Sequence, residues 1–210
     1  MTKIYKNKRE LIENIIKGKV LDVGFWGQAV AMQSPDWPHR IIQKIADEVW
    51  GVDSNYAGSF GDKRYFKAGA ENFHLPVTHY FDFIFAGDII EHLSNPGLFL
   101  DKCAEHLSKQ GKLVITTPNC FNLFSVAEKL IRSEPSVNPD HTMYFNHTTI
   151  KKLLEKNGWK VASAHYIRTP KEKLTLSKKR FFLYLLDTTV SLFTPKFSES
   201  IVVIAEKNRA

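Results

Sequence analysis

The chain has 210 residues, 43% of them hydrophobic and 24% charged, with a formal net charge of +7. These are the proportions of an ordinary folded protein, large enough to bury a substantial core in a single domain, and they exclude a low-complexity or disordered chain. No apolar run reaches spanning length, the first residues lack the apolar core and cleavage site of a secretory signal, and Cys103 and Cys120 fit no metal-binding spacing, so a reducing, cytoplasmic setting is expected.

In chain order, the positive charge gathers first in Lys3–Arg9 and again in Lys171–Arg180, with a near-balanced middle. Solvated tails and helix faces account for such runs; a basic surface for an anionic partner is the other reading. A helix is predicted over Arg9–Lys17, then a buried strand over Val20–Val23 that breaks at Gly24. A long loop carries WPHRII (37–42) into a helix near His39–Ala46, followed by strands over Val49–Val52 and Arg64–Lys67. The most apolar strand is YFDFIFAGD (80–88); a helix over Gly97–Leu107, Gly111 and a strand over 112–119 come next, the last stopped by Pro118. Past an irregular stretch (Cys120–Met143), a helix over Thr148–Asn157 stops at Gly158, and two strands close the pattern, 159–167 and 200–207. Alternating strands and helices with apolar strands predict an α/β fold: a doubly wound, mostly parallel seven-stranded sheet covered on both faces, with the final strand inserted antiparallel.

In open α/β sheets ligands bind at the carboxyl ends of the strands. Two such ends carry informative residues. Gly24 ends the first core strand, and Asp53 stands just past the second. A glycine lets a ligand approach the backbone, and a carboxylate accepts hydrogen bonds from both hydroxyls of a ribose, which together suit an adenine nucleoside.

Five segments, VLDVG (20–24), GVD (51–53), AGAENFHLP (68–76), FDFIFAGDIIEHLSNP (81–96) and GKLVITTPN (111–119), resemble in order and spacing the class I S-adenosylmethionine-dependent methyltransferases over roughly residues 18–120. The resemblance implies a Rossmann-like sheet of order 3-2-1-4-5-7-6 with S-adenosylmethionine across the ends of its first four strands. It places Asp22 and Gly24, with Phe25, Trp26 and Gly27, at the methionine end of that cofactor. Asp53 and Ser54 fall at the ribose, Gly69, Ala70 and Glu71 beside the adenine, and Ala86, Gly87 and Asp88 near the sulfonium. Three departures stand out. Trp26 interrupts the usual glycine run, so the turn must take another shape. The long first loop with its Trp-x-His segment is similar to glycan- and lipopolysaccharide-associated members. Gly69 stands where an Asp often holds the adenine amino group, leaving that bond to backbone or water.

The run DIIEHLSNP (88–96) sets Asp88, Glu91 and His92 at spacings that share one face of a helical turn. Ubiquinone-pathway O-methyltransferases and small-RNA 2′-O-methyltransferases carry a similar run, and some bind a divalent cation through it. Asp88, Glu91, His92 and the later His141 are the matching candidates here, although no metal is assigned. Glu91 and His92 are the candidate catalytic pair, the imidazole serving as acid–base for an acceptor that must lose a proton. The other histidines (His39, His74, His79, His106, His147, His165) are expected at the surface or at helix caps.

The expected activity is O-methylation of a small molecule or of a sugar in a glycan pathway. Segments 120–146 and 170–197 would form the acceptor side. Within the latter, basic residues precede an aromatic run over 176–193, which reads as a helix packed on the sheet or as an element docking on an anionic membrane. An RNA 2′-O-methyltransferase is a rival reading, ranked lower because no aromatic–basic RNA-binding module is appended, so nucleic acid is not an expected partner. A methyltransferase-like binding protein without catalysis is the other rival. Absence of G-x-G-x-x-G argues against a nicotinamide-binding fold.

Overall fold

The structure is a computed structural model and describes residues 2–27, 32–58, 60–123, 126, 138–168, 190 and 194–208. Apolar runs of five to seven residues form its central strands: β2 (Lys19–Val23), β3 (Glu48–Asp53) and β5 (Phe81–Gly87). Around them lie β1 (Ile4–Tyr5), β4 (Tyr65–Lys67), β6 (Leu107–Pro118), β7 (Trp159–Ile167) and β8 (Ser200–Lys207). The sheet order is β1-β7-β8-β6-β5-β2-β3-β4. From β7 to β4 this is the expected seven-strand order. β8 runs antiparallel to both β6 and β7, and the other pairings are parallel. The addition is β1, which extends the sheet by pairing with β7. A two-residue strand has too short a pattern to be read from sequence.

Among the described residues, four α-helices cover the sheet: α1 (Lys8–Ile15), α2 (Pro38–Ile45), α3 (Pro96–His106) and α4 (His147–Lys156). Strand alternation sorts the core into two layers. Leu21, Val23, Ile84 and Ala86 face Phe99, Leu100 and Cys103 of α3 and Ile150 and Leu154 of α4. Val20, Phe83, Phe85 and Val114 face Leu11 and Ile12 of α1 and Ile41 and Ile42 of α2. Asn7 and Asn95 cap α1 and α3, and Asn146 and Thr149 form a capping box on α4.

Of the histidines expected at the surface or at helix caps, His39, His106 and His165 are buried, His106 as the last residue of α3. His106 Nδ1 lies 2.6 Å from the Val77 carbonyl while its buried Nε2 has no hydrogen-bond partner, and His165 is held by the Lys3 amide, which donates to Nδ1 at 3.0 Å, and by the Ser163 hydroxyl 3.1 Å from Nε2. Among the described residues, no helix is long and apolar enough to cross a membrane. Apart from Val190, the aromatic run expected over 176–193 lies outside the described residues.

Candidate functional site

At the carboxyl ends of β2, β3 and β5 the chain makes three turns that meet. Gly24 leaves β2 at φ +79°, a left-handed conformation costly for any residue with a Cβ, and its N–H donates to the Val52 carbonyl at 2.8 Å. A Cβ on Gly24 would lie 3.1 Å from Cδ1 of Ile89, so the first loop sits directly against the turn after β5. Trp26 does not need glycine's freedom. Its backbone N–H instead donates to Asp53 Oδ2 at 3.0 Å, while Asn55 N–H donates to Oδ1 at 2.7 Å. Asp53 is thus fixed at the end of β3 by two amides, and burial raises its pKa in spite of them.

What replaces the glycine run is an aromatic support. The ring of Phe25 is buried and packs on His39, Tyr56, Phe60 and Tyr65 with centroids 4.7–6.1 Å apart. Trp37 Nε1 donates to the Phe25 carbonyl at 3.1 Å. Beneath them, His39 Nδ1 lies 2.9 Å from Asp22 Oδ2, both groups buried, and His39 Nε2 lies 3.2 Å from the Tyr65 hydroxyl. Asp22, expected at the methionine end of a cofactor, therefore has its carboxylate on His39. Asp22 alternates with Leu21 and Val23 and so points to the α2 side, where Pro38 at the start of that helix brings His39 over it. The Trp-x-His segment was the sequence signal for this device; its partners Asp22 and Tyr65 carry no local pattern that names them.

The remaining donor-side candidates sit around these turns. Ser54 is exposed beside Asp53, and Gly69 and Ala70 follow β4. Glu71 turns its carboxylate to the backbone N–H of Asn95 and so ties this loop to the start of α3. Ala86 and Gly87 end β5, and Asp88 follows at φ +53°. Asp88 accepts from the Thr116 hydroxyl at 2.8 Å and forms an ion pair with Lys8 of α1. Lys8, Thr116 and the neighbouring Thr117 were not singled out in the sequence.

The acceptor-side group comes next in the chain. A single 3-10 turn, Ile90–His92, carries Glu91 and His92. The Glu91 carbonyl accepts from Thr142 N–H at 2.8 Å, and this anchors the segment that bears His141 against the turn. The His92 and His141 rings meet edge-on at 4.7 Å. One donor atom from each of Glu91, His92 and His141 lies within 4.8 Å of the others. Asp88, expected with them as a possible ligand, is not in this group; it is held by Lys8 and Thr116. Glu91 is 2% exposed, with Oε2 accepting from Thr117 Oγ1 at 3.0 Å and Oε1 without a protein partner. Burial first, and the Asp88 charge second, push its pKa up to about 7. His92 Nδ1 lies 3.2 Å from the Asp140 carbonyl. A carbonyl only accepts, so the proton of neutral His92 sits on Nδ1 and the lone pair on Nε2. Burial and the His92 charge both lower the pKa of His141.

Residues 14–164 match the family model described as a methyltransferase domain. The chain belongs to that family, in its class I S-adenosylmethionine-dependent form. It is similar to a ubiquinone biosynthesis O-methyltransferase from Nitrobacter winogradskyi, at 29% identity over 135 residues, 55% of this chain and 49% of that protein. The chain thus spans about half the length of that curated relative. Among solved structures it is similar to a SAM-dependent methyltransferase from Archaeoglobus fulgidus, with a TM-score of 0.61 at 18% identity, covering 95% of this chain and 93% of the other. The [4+2]-cyclase SpnF is as similar in fold, with a TM-score of 0.61 at 13% identity over 97% of this chain and 81% of that one. At such identities the likeness is one of fold, and the chemistry has to be argued from the site.

The site suits the cofactor that the family uses. Asp53 lies at the carboxyl end of β3, is oriented by two amides, and has spare acceptor capacity on both oxygens. Donation from two ribose hydroxyls would also favour its charged form, offsetting the burial that now disfavours it.

Proposed function

We propose that this chain transfers a methyl group from S-adenosylmethionine to a hydroxyl of a small molecule or of a sugar in a glycan pathway. The observation that carries the reading is the contact of Gly24 with Ile89. It sets the donor-side loop, with Asp53, directly beside the turn that presents Glu91 and His92. S-adenosylmethionine supplies a methyl already activated by its sulfonium, so the work left to the protein is alignment and proton removal.

Asp53 accepts from the ribose hydroxyls, and the Trp26 amide keeps its carboxylate in register with the first loop. His92 receives the acceptor proton at Nε2, since Nδ1 is committed to the Asp140 carbonyl. Neutral His141 leaves the developing imidazolium without a second charge beside it. Protonated Glu91 can donate a hydrogen bond at neutral pH, a role open to a carboxyl group kept neutral by burial. The similarity to a ubiquinone biosynthesis O-methyltransferase supports oxygen as the atom methylated.

A second reading has an observation of its own. The orphan Oε1 of buried Glu91, converging with two imidazoles, is a mixed oxygen–nitrogen donor set suited to Mg²⁺, Mn²⁺ or Fe²⁺. Glu91, His92 and His141 would hold such an ion, which would act as a Lewis acid on the acceptor hydroxyl. Donors sharing one ion at roughly 2.1 Å stand at most about 4.2 Å apart, so small side-chain rotations would complete the site.

Titration calorimetry with S-adenosylmethionine and S-adenosylhomocysteine tests the donor half. Both should bind the wild-type protein, and Asp53→Ala should weaken both by tenfold or more, about the loss of one charge-assisted hydrogen bond. Lack of binding by the wild type overturns the proposal. Once an acceptor is turned over, EDTA separates the two readings: activity that survives it leaves His92 as base, and activity lost and restored by a divalent ion assigns the cation.

A further inference from the structure

Among the described residues, four buried side-chain atoms lack a hydrogen-bond partner: Glu91 Oε1, Ser198 Oγ, Arg168 Nε and His106 Nε2. Native folds leave few such atoms unpaired, so a group of them in one place calls for a physical reason. Three of the four gather at the carboxyl edge of the sheet, on neighbouring strands. Thr117 near the end of β6 holds Glu91, Ser198 leads into β8, and Arg168 directly follows β7. Ile201 of β8 pairs with both Thr117 and Tyr166, so these three residues form one row on one face. Strand alternation places Arg168 on that same face, the face that carries Glu91. Two strand spacings, roughly 10 Å, separate the β6 and β7 tips.

Arg168 has a basic neighbour. Its N–H donates to the Tyr5 carbonyl at 3.0 Å, which carries the β1–β7 ladder one residue further and brings Lys6 alongside. The other cations of the run Lys3–Arg9 are committed: Lys3 to Glu10, Lys8 to Asp88, and Arg9 to Glu13 and Asp36. Among the described residues, no carboxylate stands within ion-pair distance of the Lys6 ammonium or the Arg168 guanidinium. Like charges on adjoining strands repel, so the fold gains nothing from this pair by itself. An anion between them would reverse that sign.

The ground between the two ends is suited to the body of a ligand. Buried Asn119 gathers three segments: its Nδ2 donates to the carbonyls of Lys196 and Ser198, and it bridges to Phe145. Next to these contacts Phe121, Tyr144 and Phe197 are exposed. Aromatic side chains around a few charged groups are the usual lining of a small-molecule site.

We propose that the methyl acceptor carries a phosphate or carboxylate group, and that Arg168, with Lys6 beside it, receives that group while the hydroxyl to be methylated stands at His92. The assignment rests on the hydroxyl-methylation reading given above. Arg168 offers a planar fork of donors that matches either oxyanion, and Lys6 adds a second positive charge. The basic N-terminal run then serves to select the acceptor.

NMR titration of the isotope-labelled chain with glucose 1-phosphate, glucuronate and uncharged methyl glucoside tests this, with and without S-adenosylhomocysteine. The charged sugars should shift the amide signals of Lys6 and Arg168 and bind about tenfold tighter than methyl glucoside, the worth of one charge-assisted hydrogen bond. Arg168→Gln should bring them within twofold of methyl glucoside. Lys6→Gln, at an exposed position that does not threaten folding, should weaken them about threefold. Tighter binding of glucose 1-phosphate than of glucuronate assigns a phosphate, and the reverse a carboxylate. Failure of the wild type to prefer the charged sugars, or a preference that survives Arg168→Gln, overturns the proposal. A chain that shows the preference but does not bind S-adenosylhomocysteine keeps the anion site and loses the methyl-transfer reading.

Discussion

Glu91 keeps its proton up to about pH 7 because burial behind the turn after β5 disfavours its charged form and, second, Asp88 adds a like charge nearby. In the unfolded chain it loses that proton near 4.5. Between these values the native state holds a proton that the unfolded state has released, so stability is greatest below the unfolded pKa and falls as pH rises to 7. The shift corresponds to roughly 3 kcal/mol. Urea denaturation of metal-free protein from pH 4.5 to 8 should register that loss, and Glu91→Gln should flatten most of it and be the more stable form at pH 8. A smaller slope should remain, since burial raises Asp53 in the same sense. Asp22 and His39 make the opposite case, a buried pair in which each member satisfies the other. His39→Ala leaves the Asp22 carboxylate buried without its partner and should cost about 3 kcal/mol in the same denaturation experiment, with weaker donor binding because Phe25 loses its support. At this scale the sequence was legible where a residue's position follows from the strand that carries it. Gly24 and Asp53 stand at strand ends, and an apolar run announces its own end. The pairings of Asp22 with His39 and of Lys8 with Asp88 join distant parts of the chain, and no local pattern encodes them.

Most strand and helix boundaries followed from period and punctuation because the central strands are buried on both faces and read as continuous apolar runs, but β6 begins at Leu107 and runs through Gly111, ahead of the start expected at Lys112. What those runs conceal is how closely neighbouring elements pack. Gly51 looks like any small residue within β3, yet a Cβ there would lie 2.7 Å from ring carbons of both Phe25 and Tyr65. The aromatic layer that replaces the glycine-rich turn rests on the bare backbone of β3 at this point. Gly51→Ala must push Phe25 outward and with it the Trp26 amide that orients Asp53. The expected cost is about 1–3 kcal/mol of stability, typical of overpacking, and donor affinity should fall more than in surface controls of equal stability. Thermal melts combined with calorimetry separate the two effects. The turn at Trp26 was foreseeable as different from the usual one, since tryptophan cannot take glycine's conformations. Its actual solution, an amide donated to the acid of the next strand and a stack of rings below, needed the three-dimensional neighbours of Phe25.

The described parts of the molecule form a single sheet with an apolar layer on each face, and Gly24, Asp53, Asp88, Glu91 and His92 all sit along one edge of it. Gly24, Asp53 and Asp88 are held by hydrogen bonds to β3, to the first loop and to β6 respectively. A ligand bridging these three turns therefore contacts several strands that must separate on unfolding, and its binding energy appears in the stability of the whole sheet. For a ligand that binds only the native state, a free concentration of 100 times Kd adds about 2.7 kcal/mol. In a chain of this size each kcal/mol moves Tm by about 2–4 °C. S-adenosylhomocysteine at that excess should accordingly raise Tm by about 5–10 °C in the wild-type protein. At the same ligand concentration Asp53→Asn, which keeps the shape of the side chain but not its charge, should show less than half of that shift. A shift of the same size in both proteins would place the ligand away from the β3 tip, and equal unfolding m-values with and without ligand would show that the two states compared are unchanged.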